Sequence, residues 1–407
     1  MEDINLMNDE KLQEIIAYDE QYYMPVFGKR VPLVVDHGKG AYLYGTDGKK
    51  YMDMIGGIAV NTLGHGNGRL VRAISSQAKK VIHCCNYYYN EPQTLLAKKL
   101  VEMSFADKVF FANSGAEANE GAIKLARGYW YKLGTPKPKI ITATMSFHGR
   151  TMATIAATGQ EKFRTPFGPV TPGFEYVPFN DIEAIKKTAD SQTGAIMLEL
   201  IQGESGVHPA DFDYIQAVRK FCTENKILLI IDEVQTGVGH TGTFFAYEQF
   251  GIQPDILTLA KGLAGGVPIG AVLANKVAST GFGPSDHGST FGGNPLACAA
   301  GLAVLEEIES KNLLGNVQSV GAYIQKKLTS VGKKTKKIAE VRGKGLLLGI
   351  ELESGSSADV KMKLFEKGFL VSSIGSNVIR IAPPLNLTRF QAVKFISAFQ
   401  DVLEGKE

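Results

Sequence analysis

No run of about 18 apolar residues occurs along the chain, which excludes a conventional membrane-spanning helix. Cysteine is scarce: four in 407 residues, at positions 84, 85, 222 and 298, none in a CxxC or CxxH pair. Adjacent Cys84 and Cys85 make a poor metal clamp and a poor disulfide, so the pattern points to a reduced, cytoplasmic setting. The N-terminus, MEDINLMNDEKLQEII, is acidic and lacks the apolar core of a secretion signal. An excess of either charge is also missing. The 44 basic and 41 acidic residues leave a net charge of +3, which gives no electrostatic reason to expect nucleic acid. The seven histidines, at 37, 65, 83, 148, 208, 240 and 287, have no metal-ligand spacing, so no metal site is expected. No GxxxxGK[ST] phosphate loop exists: each Gly-Lys pair is followed by Arg, Gly, Lys or Glu. That absence argues against a nucleotide triphosphatase.

The chain is long enough for a large core and for two packed domains. Its 44% hydrophobic and 21% charged residues are ordinary for a globular protein, and its 45 glycines gather in short clusters that suggest tight turns. Residues 1–65 read as a helical opening followed by a hairpin, Tyr42–Tyr44 and Tyr51–Asp53 around Gly45-Thr46-Asp47-Gly48. From about 66 to 309 apolar runs of strand length recur: 109–112, 140–144, 195–200, 227–231, 256–260 and 269–273. Helical segments at 116–132, 181–190 and 210–225 separate several of them. Continuously apolar strands are buried on both faces, so this region reads as an α/β domain with a mostly parallel sheet. Residues 310–407 change texture. A basic helix, strands at 346–352, 370–373 and 378–381, a helix near 358–367 and a final helix capped by Thr388 make a smaller α+β unit, joined by the N-terminal segment.

Two apolar strands deliver charge at their ends: Ile227–Ile231 leads to Asp232-Glu233, and Ile256–Ala260 leads to Lys261. A right-handed crossover would bring Asp232 and Lys261 to one edge of the sheet, where ligands of open α/β folds bind. A carboxylate and a lysine there suit pyridoxal phosphate, with the aldehyde on the amine and the carboxylate at the pyridine nitrogen. A structural ion pair suits the same spacing, and is the commoner occurrence. Phe110–Glu117 passes from strand to helix. Ser114 and Glu117 read as a capping box, and small Gly115 and Ala116 leave free N–H groups where an anion could sit. Phe147 could stack on a ring and Arg150 could grip a carboxylate; a core phenylalanine and a surface arginine are, each taken alone, the commoner occurrences. The turn 288–295 could touch a phosphate or simply cap a helix.

Together these tracts resemble the class III aminotransferases of PLP fold type I. The likeness runs in order through NSGAEANE (113–120), FHGRT (147–151), IQGESGV (201–207), IDEVQTGVG (231–239), LAKGLAGGVPIGA (259–271) and GSTFGGNPL (288–296). It implies a large domain with a mostly parallel sheet, and a smaller one from both ends of the chain. It implies pyridoxal phosphate as a Schiff base on Lys261, which also moves protons, and Asp232 at the ring nitrogen. Gln235 would meet the ring hydroxyl, Val234 and Phe147 would cover the two faces, and Ser114, Gly115 and Ala116 would hold the phosphate. Glu233 falls in the same cofactor-binding tract. The family's sites lie at a homodimer interface, which gives Thr290 a phosphate contact across it. GIAVNTLGH, FHGRT and HGSTFGGNPLACAA look most like the branch acting on acetylated ornithine. That implies N-acetylornithine as amino donor and 2-oxoglutarate as acceptor, with Arg150 and Ser289 on the donor, Arg380 on the dicarboxylate, and Glu204 as the switchable partner of Arg380. Other donors (ornithine, succinylornithine, 4-aminobutyrate), another reaction on the same cofactor, and a non-catalytic binding protein are the alternatives. One departure stands out. GVGHTGTFFA carries His240 where the family often has arginine, and a peripheral place is expected for it.

Overall fold

A computed structural model describes residues 2–406. At its centre lies a seven-stranded sheet. In chain order the strands are β1 (Lys108–Ala112), β2 (Lys139–Ala143), β3 (Phe174–Val177), β4 (Thr193–Glu199), β5 (Leu228–Asp232), β6 (Ile256–Leu259) and β7 (Gly270–Ala274). Their spatial order is β1-β7-β6-β5-β4-β2-β3. Neighbours are parallel throughout except at β7, which runs antiparallel to both β6 and β1.

β4, β5 and β6 are buried along their whole length, which is why they read as unbroken apolar runs. Each fully buried Leu or Ile in them stabilises the fold by about 1.5–3 kcal/mol. The helix Gly115–Lys132 covers one face with Ala118, Ala122, Ile123, Leu125 and Ala126. Trp130 near its end donates from Nε1 to the Gly194 carbonyl at 2.8 Å, locking the helix to the start of β4. The expected helices near 181–190 and 210–225 are Ile182–Thr188 and Phe212–Asn225.

The N-terminal hairpin forms as expected, with Tyr42–Gly45 antiparallel to Lys50–Asp53 and Gly48 at φ +75° in the turn. Lys50–Asp53 also pairs in parallel with Phe369–Leu370, so the two ends of the chain share a sheet. A second antiparallel sheet contains Ile338–Lys344, Leu347–Leu352, Val378–Ile381 and Ser372–Ile374. The single strand expected at 370–373 is therefore two short ones in different sheets, with buried Val371 between them. Thr388 caps the last helix, Arg389–Glu404, in a capping box with Gln391.

Candidate active site

Parallel register aligns Glu199, Asp232 and Thr258 at the C-terminal ends of β4, β5 and β6. Asp232 is buried among donors. One carboxylate oxygen accepts from Asn119 Nδ2 at 2.7 Å and contacts His148 Nδ1 at 2.8 Å; the other accepts from the Val234 N–H at 3.0 Å. Thr258 in turn donates to Asn119 Oδ1 at 2.7 Å, which orients the amide toward the carboxylate. Lys261 follows β6 by two residues, at φ +41°, and shares a cavity of about 410 Å³ with Asp232. Among the described residues its amine has no ion-pair or hydrogen-bond partner. Burial holds its pKa below the usual lysine value; Glu204 opposes this and Arg380 adds to it.

The opposite wall is the start of helix Gly115–Lys132. Ser114 caps it, accepting from the Glu117 N–H at 3.1 Å. Glu117 does not return the bond to Ser114, as a capping box requires. It reaches Asn113 instead, at 2.9 Å to the backbone N–H and 2.7 Å to Nδ2. The first-turn N–H groups of Gly115 and Ala116 precede any carbonyl four residues back, so they face the cavity as free donors at a positive helix end. A Cβ on Gly115 would lie 2.6 Å from Val234 Cγ1, so the close approach of these two walls depends on glycine there.

Phe147 and Arg150 line the rim. Arg150 lies over the Phe163 ring at 4.0 Å, and Phe147 meets the same ring edge-on at 5.9 Å. Glu199 is buried beneath and accepts from the Phe147 N–H at 2.9 Å. Burial and the neighbouring Asp232 push its carboxyl well above the usual range. At the far end Arg380 Nη1 donates to Glu204 at 2.7 Å, and Gln235 Nε2 donates to the same oxygen at 3.0 Å. Burial alone would raise the Glu204 pKa, but Arg380 and Lys261 outweigh it and hold the carboxyl below its ordinary value.

The donor set fits pyridoxal phosphate: free N–H groups for a phosphate, a carboxylate for the ring nitrogen and an unpaired amine in one cavity. Gln235 Oε1 and His148 Nε2 are both buried without a partner among the described residues. Residues 23–403 match the family described as aminotransferase class-III. The chain belongs to the class-III aminotransferases. It is 50% identical over 390 residues to the acetylornithine aminotransferase of Caldanaerobacter subterraneus subsp. tengcongensis, covering 96% of this chain and 99% of that one. Identity to the Methanocaldococcus jannaschii acetylornithine aminotransferase is 49%, over 95% and 97% of the two chains. Among solved structures, the ornithine aminotransferase of Toxoplasma gondii superposes with a TM-score of 0.93 at 32% identity, covering 97% and 95%. The acetylornithine aminotransferase of Elizabethkingia anophelis does so at 0.86 and 32%, covering 97% and 99%.

Three residues of the aminotransferase, Glu233, Ser289 and His240, lie elsewhere than its sequence suggested, whereas Thr290 was expected to act across a subunit interface. Glu233 turns away from the cavity and accepts from the Ala246 and Tyr247 N–H groups at 2.7 and 2.8 Å, anchoring the following loop. Burial pushes its pKa up to about 8. Ser289 and Thr290 line a different cavity, of about 900 Å³; Ser289 Oγ accepts from Asn113 Nδ2 at 3.0 Å, so Asn113 stands between the two spaces. His240 is not peripheral. It is 1% exposed, neither ring nitrogen has a partner among the described residues, and burial with nearby Lys261 drives its pKa down to about 4. Sequence reasoning missed Glu199, Asn119 and Thr258. A carboxylate interrupting the apolar run Leu198–Leu200, at the same sheet edge as Asp232, was the available signal for the first.

Proposed function

We propose that this aminotransferase moves the δ-amino group of N2-acetyl-L-ornithine to 2-oxoglutarate with pyridoxal phosphate, giving N-acetyl-L-glutamate 5-semialdehyde and L-glutamate, a step of arginine biosynthesis. The observation that carries the two-substrate reading is that Glu204, on the wall of the Lys261 cavity, is bonded to the buried Arg380. The donor rests on full-length relatives named acetylornithine aminotransferase.

When bound, the cofactor supplies an electron sink for the carbon that loses its proton. Lys261 would remove that proton and return one at the neighbouring position, a task helped by burial, which lowers the amine's hold on its own proton. Asp232 holds a proton at the ring nitrogen, and its orientation is set by Asn119 and His148. Gly115 and Ala116 N–H groups, with Ser114, bind the phosphate. Gln235 Oε1 accepts the ring hydroxyl, and Val234 and Phe147 keep water from the two faces. Arg150 takes the α-carboxylate of the donor. Arg380 takes the second carboxylate of 2-oxoglutarate once Glu204 has swung aside; with the amine donor Glu204 stays in place.

The reading includes a cytoplasmic homodimer. Tyr87 is 93% exposed, Tyr89 104% and Phe291 60%, a bare aromatic surface beside the loop that bears exposed Thr290. Thr290 of the partner subunit would complete the phosphate site. Residues 66–309 would form the cofactor-binding domain, and 1–65 with 310–407 the smaller one, a division supported by the pairing of Phe369 with Met52.

Adding N-acetylornithine alone to the purified, cofactor-loaded protein tests the donor. Its visible absorbance should bleach, and 2-oxoglutarate should restore it. Bleaching only with ornithine, which the Toxoplasma likeness makes the second candidate, would replace the donor and keep the reaction.

A further inference from the structure

The segment that carries Glu204 is the loop of a tight hairpin. Ile201–Gln202 pairs antiparallel with His208–Pro209, and the Ala210 N–H closes the base on the Leu200 carbonyl at 2.9 Å. The loop, residues 203–207, is held in an unrelaxed shape. Val207 is buried and β-branched yet has φ +59°, and Gly206 has φ +127°. Glu204 lines the active cavity on one side, while Ser205, His208 and Arg342 line a second cavity of about 560 Å³. The loop is a thin wall between two spaces.

Two arginines grip it at opposite ends. Arg342, Gly349 and Arg380 stand opposite one another on three adjacent antiparallel strands, so both side chains leave the same face on either side of a glycine. The loop lies across that glycine: a Cβ on Gly349 would be 2.8 Å from the Gly206 carbonyl oxygen and 3.0 Å from Val207 Cβ. Arg380 Nη1 donates to the Gly203 carbonyl at 3.1 Å, besides its bond to Glu204. Arg342 Nε donates to the Gly206 carbonyl at 2.9 Å, and its Nη1 is held by Glu340 at 2.9 Å and by Glu351. Arg342 is 7% exposed and does not line the active cavity.

We propose that Arg342 is a positioning residue for transamination: by pinning Gly206 it sets how fully Glu204 covers Arg380, and so how the enzyme discriminates between its amine donor and glutamate. This rests on the two-substrate reading above. With both ends of the loop pinned, the Glu204 side chain is the only part free to move. Released at Gly206, the loop relaxes at Val207 and pivots about Gly203, and Glu204 spends less time on Arg380. The half-reaction that needs Arg380 covered then suffers, and the one that needs it open does not.

Arg342→Lys in the holoenzyme keeps the charge facing Glu351 but loses the fork that reaches Gly206 as well. Gly349→Ala displaces the loop from below with no change of charge. For both, the half-reactions with N-acetylornithine and with glutamate are timed separately, and amide exchange across 203–209 is followed without substrate. The expected result is a fall of about tenfold in the ratio of N-acetylornithine to glutamate kcat/KM. The glutamate half-reaction should stay near wild type, and exchange at 203–207 should quicken without a general loss of protection. Equal slowing of both half-reactions, or unchanged exchange in the loop, overturns the proposal. If wild-type protein ignores N-acetylornithine, the donor assignment falls, while the exchange comparison, which uses no substrate, still decides the clamp.

Discussion

Asp232 and His148 meet in a buried contact of 2.8 Å, on the same carboxylate oxygen that accepts from Asn119. The arrangement fixes the orientation of the carboxylate at the edge that also carries Glu199. Asp232→Asn keeps the size and removes the charge. A single-turnover assay with the amine donor should then slow on the order of 10³-fold, since a preorganised charge at the ring nitrogen is lost. Retention of cofactor, measured separately, should change far less. A near-normal rate would reduce Asp232 to a structural role.

Lys261→Ala should cut turnover severely and remove the visible absorbance of the lysine-bound cofactor. Cofactor should still co-purify, because the helix start and Asp232 do not depend on the amine. The loss should reach about 10⁴-fold, the upper range for a positioned proton-transfer group, and an added primary amine should restore a small part of it. Full activity would remove Lys261 from the mechanism.

Much of this site was legible because its residues sit where sequence signals are strong. β4, β5 and β6 are buried on both faces, so their apolar runs announced themselves and placed Asp232 and Lys261 at their ends. β3 escaped because it is an edge strand, Phe-Glu-Tyr-Val, that is only partly buried. Ile338–Lys344 escaped for a related reason: Glu340, Arg342 and Lys344 interrupt its apolar pattern. Yet Arg342 earns its place in a strand through bonds to Gly206, Glu340 and Glu351, partners far apart in the chain or invisible to periodicity. Glu233 failed in the opposite direction. Its place beside Asp232 suggested the cofactor, but side chains alternate along a strand end, and its neighbour took the cavity side.

Glu204 raises the pKa of Lys261 while burial lowers it. Removing the charge in Glu204→Gln leaves the lowering influences of burial and Arg380 in command, so the lysine pKa should fall further. The neutral amine is the form that reacts with the aldehyde, so the acid limb of the rate at which pyridoxal phosphate loads onto cofactor-free protein, followed by visible absorbance against pH, should move to lower pH. The same variant should accept glutamate at lower KM, because Arg380 is uncovered. A limb that stays in place or moves upward would show that Glu204 does not act on Lys261.

His240 offers a test on stability rather than activity. Its ring is buried with no partner on either nitrogen among the described residues, and its pKa drops from 6.5 to about 4. The folded state therefore refuses a proton that the unfolded chain accepts. Above pH 6.5 both states hold the neutral ring and nothing is lost. As the pH falls from there toward 4, the unfolded state gains a proton and stability declines, by about 3 kcal/mol over the full interval. His240→Leu removes the titration and forfeits no hydrogen bond. Its thermal midpoint, relative to wild type, should therefore rise as the pH is lowered from 7 to 5. A difference between the two proteins that does not change with pH would mean that the ring takes up its proton at the same pH in both states, so that burial does not act on it.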